Sequence, residues 1–519
     1  MKKATTAQIN DVLAQATARK EQILNSASCY PENRPTYYVD SLSGNDMLDG
    51  KTPETAWRSI EKVGNTALNS GDVVLFKRGC VWRGTMRAQD GVTYSAYGEG
   101  KKPEFYGSID ASDPNDWVET MVKNVWLFRP MIAYVKEAGS VIINGGKLWG
   151  IKICENRLTG ERCDMQRGAT SQMGVLDVFN GRKYVHRERG PFNSLKDIKG
   201  DLEFYHNYFG KPDMLDDHLY LNCPDGNPGQ VFESIEISLR YSVFAAADNA
   251  TFDNLCFKYA GVHGMSCGHT NNVVRNCEFA WLGGSGMFPE AYAACNNPPF
   301  GHDTTRLGNG AEVYGECKGF VVENCYFHQI YDTAVTSQMH TTANQAYEMR
   351  DIKWNNNLFD RCACAFELWM VVDNPEAPKG QLKNVEISNN IILNTGLGWS
   401  HQRCDWGYAA FLTWGVGTVR TCDIKNVSLN NNIFFNDLRY VMFTTFTSPD
   451  LLNVENNKIF SAGNLGLFPE DLNPLNDNTK DFDGTEENLK LLEEKAGWKN
   501  TEYYLLDKKA VSFDNAYKI

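Results

Sequence analysis

Apolar and polar positions follow two different periods along the chain. Residues 5 to 27 place Ile9, Val12, Leu13, Ala16, Ile23 and Leu24 at helical spacing, which predicts an N-terminal helix docked on the rest. Tyr37-Tyr38-Val39-Asp40-Ser41 then reads as a strand, Ser43 to Pro53 as a solvated loop, Trp57 to Val63 as a helix and Gly71 to Gly79 as a short buried strand. The loop's carboxylates do not have the spacing of a helix-loop-helix calcium site. From there to about Arg240 the chain is strand-rich, with turns marked by Gly, Asp and Pro, as at Asp225-Gly226-Asn227-Pro228-Gly229. Near the end, Glu486 to Lys495 predicts a helix, apolar at Leu489, Leu491 and Leu492 and stopped by Gly497.

The second half carries a repeated unit, Asn-x-x-(Phe or Ile). It appears as Asn254…Phe257, Asn276…Phe279, Asn324…Phe327, Asn356…Phe359, Asn389…Ile392, Asn431…Phe434 and Asn456…Ile459. The intervals are 22, 48, 32, 33, 42 and 25 residues, so the shortest is one unit and the longer ones hold insertions. Short Val, Ile and Leu runs precede several units. A minimum near 22 residues fits one coil of a parallel β-solenoid, whose inner face is buried only by stacking on its neighbours. An Asn at a tight bend tolerates left-handed backbone, and stacked coils let equivalent amides bond one another. The residue after the first Asn (Asn357, Asn390, Asn432, Asn457, and earlier Leu255, Cys277, Cys325) is expected to point inward, with the cysteines as small buried hydrophobes.

Composition agrees with that reading. Of 519 residues 48 are Asn, and 30 of these fall between Asn249 and Asn478. The formal net charge of −13 argues against a nucleic-acid or anionic-membrane partner, which needs concentrated positive charge. No apolar run follows Met1-Lys2-Lys3 and no stretch is long and apolar enough to span a bilayer, so a soluble cytoplasmic protein is expected. The 15 cysteines lack paired metal spacing (Cys362 and Cys364, or His263, Cys267 and His269, are the nearest groupings), and free buried thiols are the simpler expectation.

Several stretches resemble the right-handed parallel β-helix proteins of the pectate-lyase-like superfold, in their bacterial carbohydrate-active branch. They are Tyr37-Tyr38-Val39-Asp40 through Thr52-Pro53-Glu54-Thr55-Ala56-Trp57, Gly71 to Gly79 with Trp82-Arg83-Gly84, Gly261-Val262-His263-Gly264, Asn309 to Gly315, and Gln329 to Gln338, within roughly residues 37 to 460. The branch looks like the β-helix glycoside hydrolases that include fucosidases and xylanases. The resemblance implies an all-β fold, a right-handed parallel β-helix over 37–465 with an inserted strand-rich subdomain at roughly 105–235, an N-terminal capping helix and lead-in at 1–36, and a C-terminal capping segment at 466–519. It also implies an oligosaccharide substrate and no cofactor. It leaves the sugar, calcium binding and homo-oligomerisation open.

Stacking gives an independent argument for the chemistry. Glu312, Asp332 and Glu367 fall at nearly matching positions of three consecutive coils, and alternation about Ala311 and Val313, and about Phe366 and Leu368, sends Glu312 and Glu367 outward. Glycoside hydrolysis needs one carboxylic acid for the leaving oxygen and a second carboxylate as nucleophile or base. Carboxylates in adjacent coils, about 5 Å apart, suit retention, and those two coils apart, at about 9–10 Å, suit inversion. Clustering is expected to raise the pKa of these groups. Asp332 is assigned as nucleophile or base and Glu367 as acid, with Glu312 as an alternative member of the pair. Trp281, Trp369, Trp406 and Trp414 are candidate stacking surfaces for sugar rings, and His263, Arg306, Gln338, His401 and Asp405 candidate hydroxyl partners. The segments 288–307 and 397–407 are expected to rim the cleft and favour exo-action on short glycans. Two rival readings stand beside this one: a polysaccharide lyase using Arg361, Arg403 or Arg439 as base, and a non-catalytic glycan-binding solenoid.

Overall fold

Three long sheets, of ten, eleven and ten strands, hold most of the described strands, and the chain visits them in a fixed order. One pass runs through Cys317–Glu323 in the first sheet, Tyr326–Ile330 in the second and Thr333–Thr341 in the third. The next pass, Glu348–Asn355, Leu358–Asp360 and Cys364–Val372, pairs with it strand for strand, always in parallel. These long parallel sheets are consistent with a parallel β-helix, and each pass is called a circuit below. The computed structural model describes residues 2–519 except 154, 157–160, 163–177, 180–181, 184–189, 208–209, 246, 287–306, 342–346, 373–375, 377, 403–408, 415–421, 477 and 508–517.

The repeated units form the bend between the first and second sheets. Asn254, Asn276, Asn324, Asn356, Asn389, Asn431 and Asn456 all adopt positive φ, from 51° to 61°. The aromatic or Ile three residues later stacks inside. Phe257, Phe279, Phe327 and Phe359 lie in register, with ring centroids 4.8, 4.6 and 5.2 Å apart, and Ile392, Phe434 and Ile459 continue the column. The second Asn of each later unit points inward and forms a ladder. Asn357 donates from both its backbone N and its Nδ2 to Asn390 Oδ1, Asn390 does the same to Asn432, and Asn432 to Asn457. Cys277 and Cys325, both fully buried, occupy the same column in earlier circuits, and Cys325 N donates to Asn357 Oδ1 at 2.9 Å.

The short helix forms, at Ile60–Asn65, three residues later than its predicted start, and the C-terminal helix forms at the predicted Glu486–Lys495. The N-terminal helix forms at Thr6–Leu24, closed by a Thr5–Gln8 capping box, but its position differs from the cap expected of it. It lies along the outer face of the second sheet, where Val12, Ala16 and Ile23 pack on Tyr326, Leu358, Ile391, Leu393, Phe435, Phe460 and Tyr504. Those strands carry apolar residues outward and need cover. A 19-residue helix is about 28 Å long and strands are about 4.8 Å apart, so it reaches across about six circuits. At the first circuit, Trp57, Ile60 and Val63 join the interior instead; at the last, Leu492, Ala496 and Trp498 do.

Between Glu104–Tyr106 of the second sheet and Phe244–Ala245 of the third, the chain leaves the stack. Within Ser108–Leu239 it builds separate sheets of five and four strands over a core that includes Phe128, Val141, Phe204, Leu221 and Ile237. An aromatic group of Trp149, Tyr259, Trp281, Tyr331 and Trp399 joins this unit to the circuits.

Candidate active site

The outer face of the third sheet collects the acidic residues. Pairing aligns Ser266, Glu312, Thr336, Glu367 and Leu412 in one row across successive circuits. A second outward row, two residues further along each strand, holds Tyr314, Gln338 and Trp369. Strand alternation explains both rows: Ala311, Val313, Phe366 and Leu368 turn into the core between them. Glu312 and Glu367 therefore face outward as expected, two circuits apart with Thr336 between them.

Asp332 does not share that row. It lies in the bend just before Thr333–Thr341, where its N–H bonds Gly308 O and its carbonyl accepts from Cys364 N. A three-rung ladder of carboxylates is thus replaced by two rungs and a residue entering from the side. Asp332 nevertheless lies near Glu367, because Thr333 Oγ1 stands 3.5 Å from Asp332 Oδ1 and 3.4 Å from Glu367 Oε2. Glu367 Oε2 also accepts from Thr336 Oγ1 at 3.0 Å and from Gln338 Nε2.

Glu312 has a different environment. His263 Nε2 lies 2.7 Å from its Oε2, and both residues are more than nine-tenths buried. Burial pushes the Glu312 carboxyl upward, but the charge and hydrogen bond of His263, with a further bond from the Asn309 side chain, outweigh it and hold the group below the usual carboxylate range. The expectation that clustering raises these acids is reversed at Glu312, because its near neighbour is an imidazole rather than a carboxylate.

The other sequence candidates divide. Gln338 and Trp369 lie beside the carboxylates, and Trp414 continues their row at the backbone level. His263 is turned toward Glu312 rather than outward. Trp281 is not a sugar platform: it is the next-to-last residue of the second-sheet strand Glu278–Leu282, at φ 56° where the chain starts to turn, is 5% exposed, and packs on Trp149 and Trp399. His401 falls in the turn Trp399–Gln402, and Arg306, Asp405 and Trp406 lie outside the described residues. Of the lyase candidates, Arg361 is tied to Asp360 at 2.6 Å and Arg439 covers the Tyr440 ring, while Arg403 lies outside the described residues. Sequence reasoning passed over Thr333, Thr336, Asn309 and Tyr314. Thr336 could have been found by carrying the alternation of Glu367 back one circuit, whereas Thr333, next to the bend, could not. Tyr314, 52% exposed, follows from the same rule applied to Glu312.

No family model matches the chain, and no curated protein does. Among solved structures it is similar to XylC in complex with xylose, at 14% identity and a TM-score of 0.45 over 84% of this chain and 68% of that one. It is also similar to a structure described as a glycoside hydrolase (9% identity, TM-score 0.39, 92% and 98% covered) and to the GH136 lacto-N-biosidase from Eubacterium ramulus (11%, 0.32, 96% and 71%). These superpositions are loose, so the chemistry has to be read from this chain's own residues.

Proposed function

We propose that this protein is a glycoside hydrolase acting on oligosaccharides from the outer face of the third sheet of a right-handed parallel β-helix. The observation that carries this reading is the single Thr333 hydroxyl within reach of both Asp332 and Glu367. Two carboxylates held around one small donor can act on opposite sides of one bond. Glu367 gives its proton to the glycosidic oxygen as the C1–O bond breaks. Asp332 attacks C1, or takes the proton of the water that does. Glu312, kept ionised beside His263, is suited to accepting hydrogen bonds and not to supplying the acid proton. Tyr314, Gln338 and Trp369 supply an aromatic and amide surface next to the acids. Exo-action on short glycans, in the cytoplasm, completes the proposal; it rests on the length of segments 288–307 and 397–407, each of which falls in the sequence between a strand of the second sheet and one of the third.

A panel of aryl glycosides and oligosaccharides tests it. Wild-type protein should release sugar without an ultraviolet-absorbing unsaturated product, and Glu367→Gln and Asp332→Asn should each lose on the order of 10²–10⁴-fold in kcat while keeping the wild-type melting temperature. Unsaturated product would favour a lyase, absence of any product a binder, and full activity in both variants would remove these residues from the mechanism.

A further inference from the structure

Behind Glu312 the backbone fixes an imidazole. Asn309 N–H donates to His263 Nδ1 at 3.0 Å, which leaves Nε2–H as the hydrogen the ring can offer, directed at Glu312 Oε2. Asn309 is held in turn, since its Oδ1 accepts the backbone N–H of Thr333 at 3.1 Å, and Thr333 is the residue whose hydroxyl lies between Asp332 and Glu367. The main chains of three successive circuits therefore set the ring, and the ring sets the carboxylate. The fold alone does not require a charge here, because Leu412 occupies the same outward row two circuits beyond Glu312's partner Thr336. A buried ion pair is also a poor source of stability.

We infer that His263 is a positioning residue, holding one oxygen of Glu312 so that the carboxylate faces substrate as a fixed hydrogen-bond acceptor in the row it shares with Thr336 and Glu367. This rests on the hydrolase reading of the site. Among the described residues, the groups that face Glu312 are His263, Ser266 and the Cys267 thiol from the preceding circuit, Asn309 just before its own strand, Tyr314 on that strand, neutral Thr336 from the next circuit and Glu367 from the one after. His263 favours the ionised form by donating Nε2–H to it, with the Asn309 side chain as a second donor.

The test compares full-length wild type, His263→Ala and His263→Gln on the aryl glycoside that wild type cleaves. In His263→Ala the acid limb of the kcat/KM profile should move up by about one pH unit, with about a tenfold loss on that limb. His263→Gln, whose amide N–H can replace Nε2–H, should recover most of the loss. An unmoved limb in the Ala variant, or no recovery with Gln, overturns the inference. A second measurement needs no substrate. The melting-temperature difference between wild type and Glu312→Gln should shrink as pH falls through the carboxylate range, and in the His263→Ala background, where burial acts on Glu312 with less to oppose it, this trend should vanish or reverse; an unchanged trend there also overturns it. Wild type inactive on every glycoside would sink the hydrolase reading alone, and the melting series would still decide the role of His263.

Discussion

Asp437 is one carboxyl the proposed chemistry does not use. It follows Asn436 in the bend between the second and third sheets, where the corresponding residues Ile330 and Cys362 of earlier circuits turn into the core. It is 3% exposed, and burial, partly opposed by the Thr395 hydroxyl, pushes it up to about 7. The folded protein therefore holds a proton that the unfolded chain releases near pH 4. Stability from this group is complete below that pH and falls as pH rises toward 7, by roughly 4 kcal/mol at most. Asp437→Asn should flatten the decline. Urea titrations from pH 4 to 8 check this: equal slopes of stability against pH in the two proteins would show that Asp437 does not set the dependence.

At the level of the element, the bends explain why so much of the fold was legible. Each first Asn answers a local requirement, a left-handed residue at a tight corner, and each second Asn answers a repeat requirement, a backbone N–H of the neighbouring circuit that needs an acceptor. Both requirements recur in every circuit, so they leave a periodic mark that one sequence reveals. They also differ in energy. Asn390→Ala removes the acceptor of Asn357 N and Nδ2 and the donor to Trp354 O, and should cost about 2–4 kcal/mol. Asn389→Ala loses the residue's tolerance of φ 58° and one long bond to Ser388 Oγ at 3.5 Å, and should cost about 1 kcal/mol, most of it restored by Asn389→Gly. Chemical denaturation of the three variants gives the comparison, and equal losses at 389 and 390 would contradict the ladder. The candidate site was less legible because its geometry is not periodic. Glu312 and Glu367 followed from alternation, but the offset of Asp332 and the hydroxyl of Thr333 depend on how one bend turns. Trp281 was misread because an outward strand position and a bend position look alike when the bend residue is not Asn.

For the whole molecule, the N-terminal segment changes how the stack holds together. A stack of circuits contacts only its neighbours and can open from either end. Here Lys2–Lys3 adds a parallel strand beside Glu502–Leu505 of the last circuit, and the helix then runs back over the second sheet. Its far side is fastened to early circuits: Ser26 accepts from Arg78 and Lys102, and Cys29 N–H bonds Asp253 Oδ2 at 2.7 Å. One segment thus ties late circuits to early ones, a connection that the helical period in the sequence does not disclose, since an apolar stripe says that a face is covered but not by what. If the segment acts as a strap, breaking its middle should loosen the circuits it crosses more than those it does not. Ala16 is fully buried against the sheet, so Ala16→Glu places a charge in that contact. Hydrogen exchange should then rise in Tyr326–Ile330, Leu358–Asp360, Ile391–Leu393 and Ile433–Phe435, while Val73–Lys77 and Thr93–Tyr97 stay protected, and thermal unfolding should broaden or split. Uniform loss of protection in a single sharp transition would show instead that the stack is cooperative without its strap.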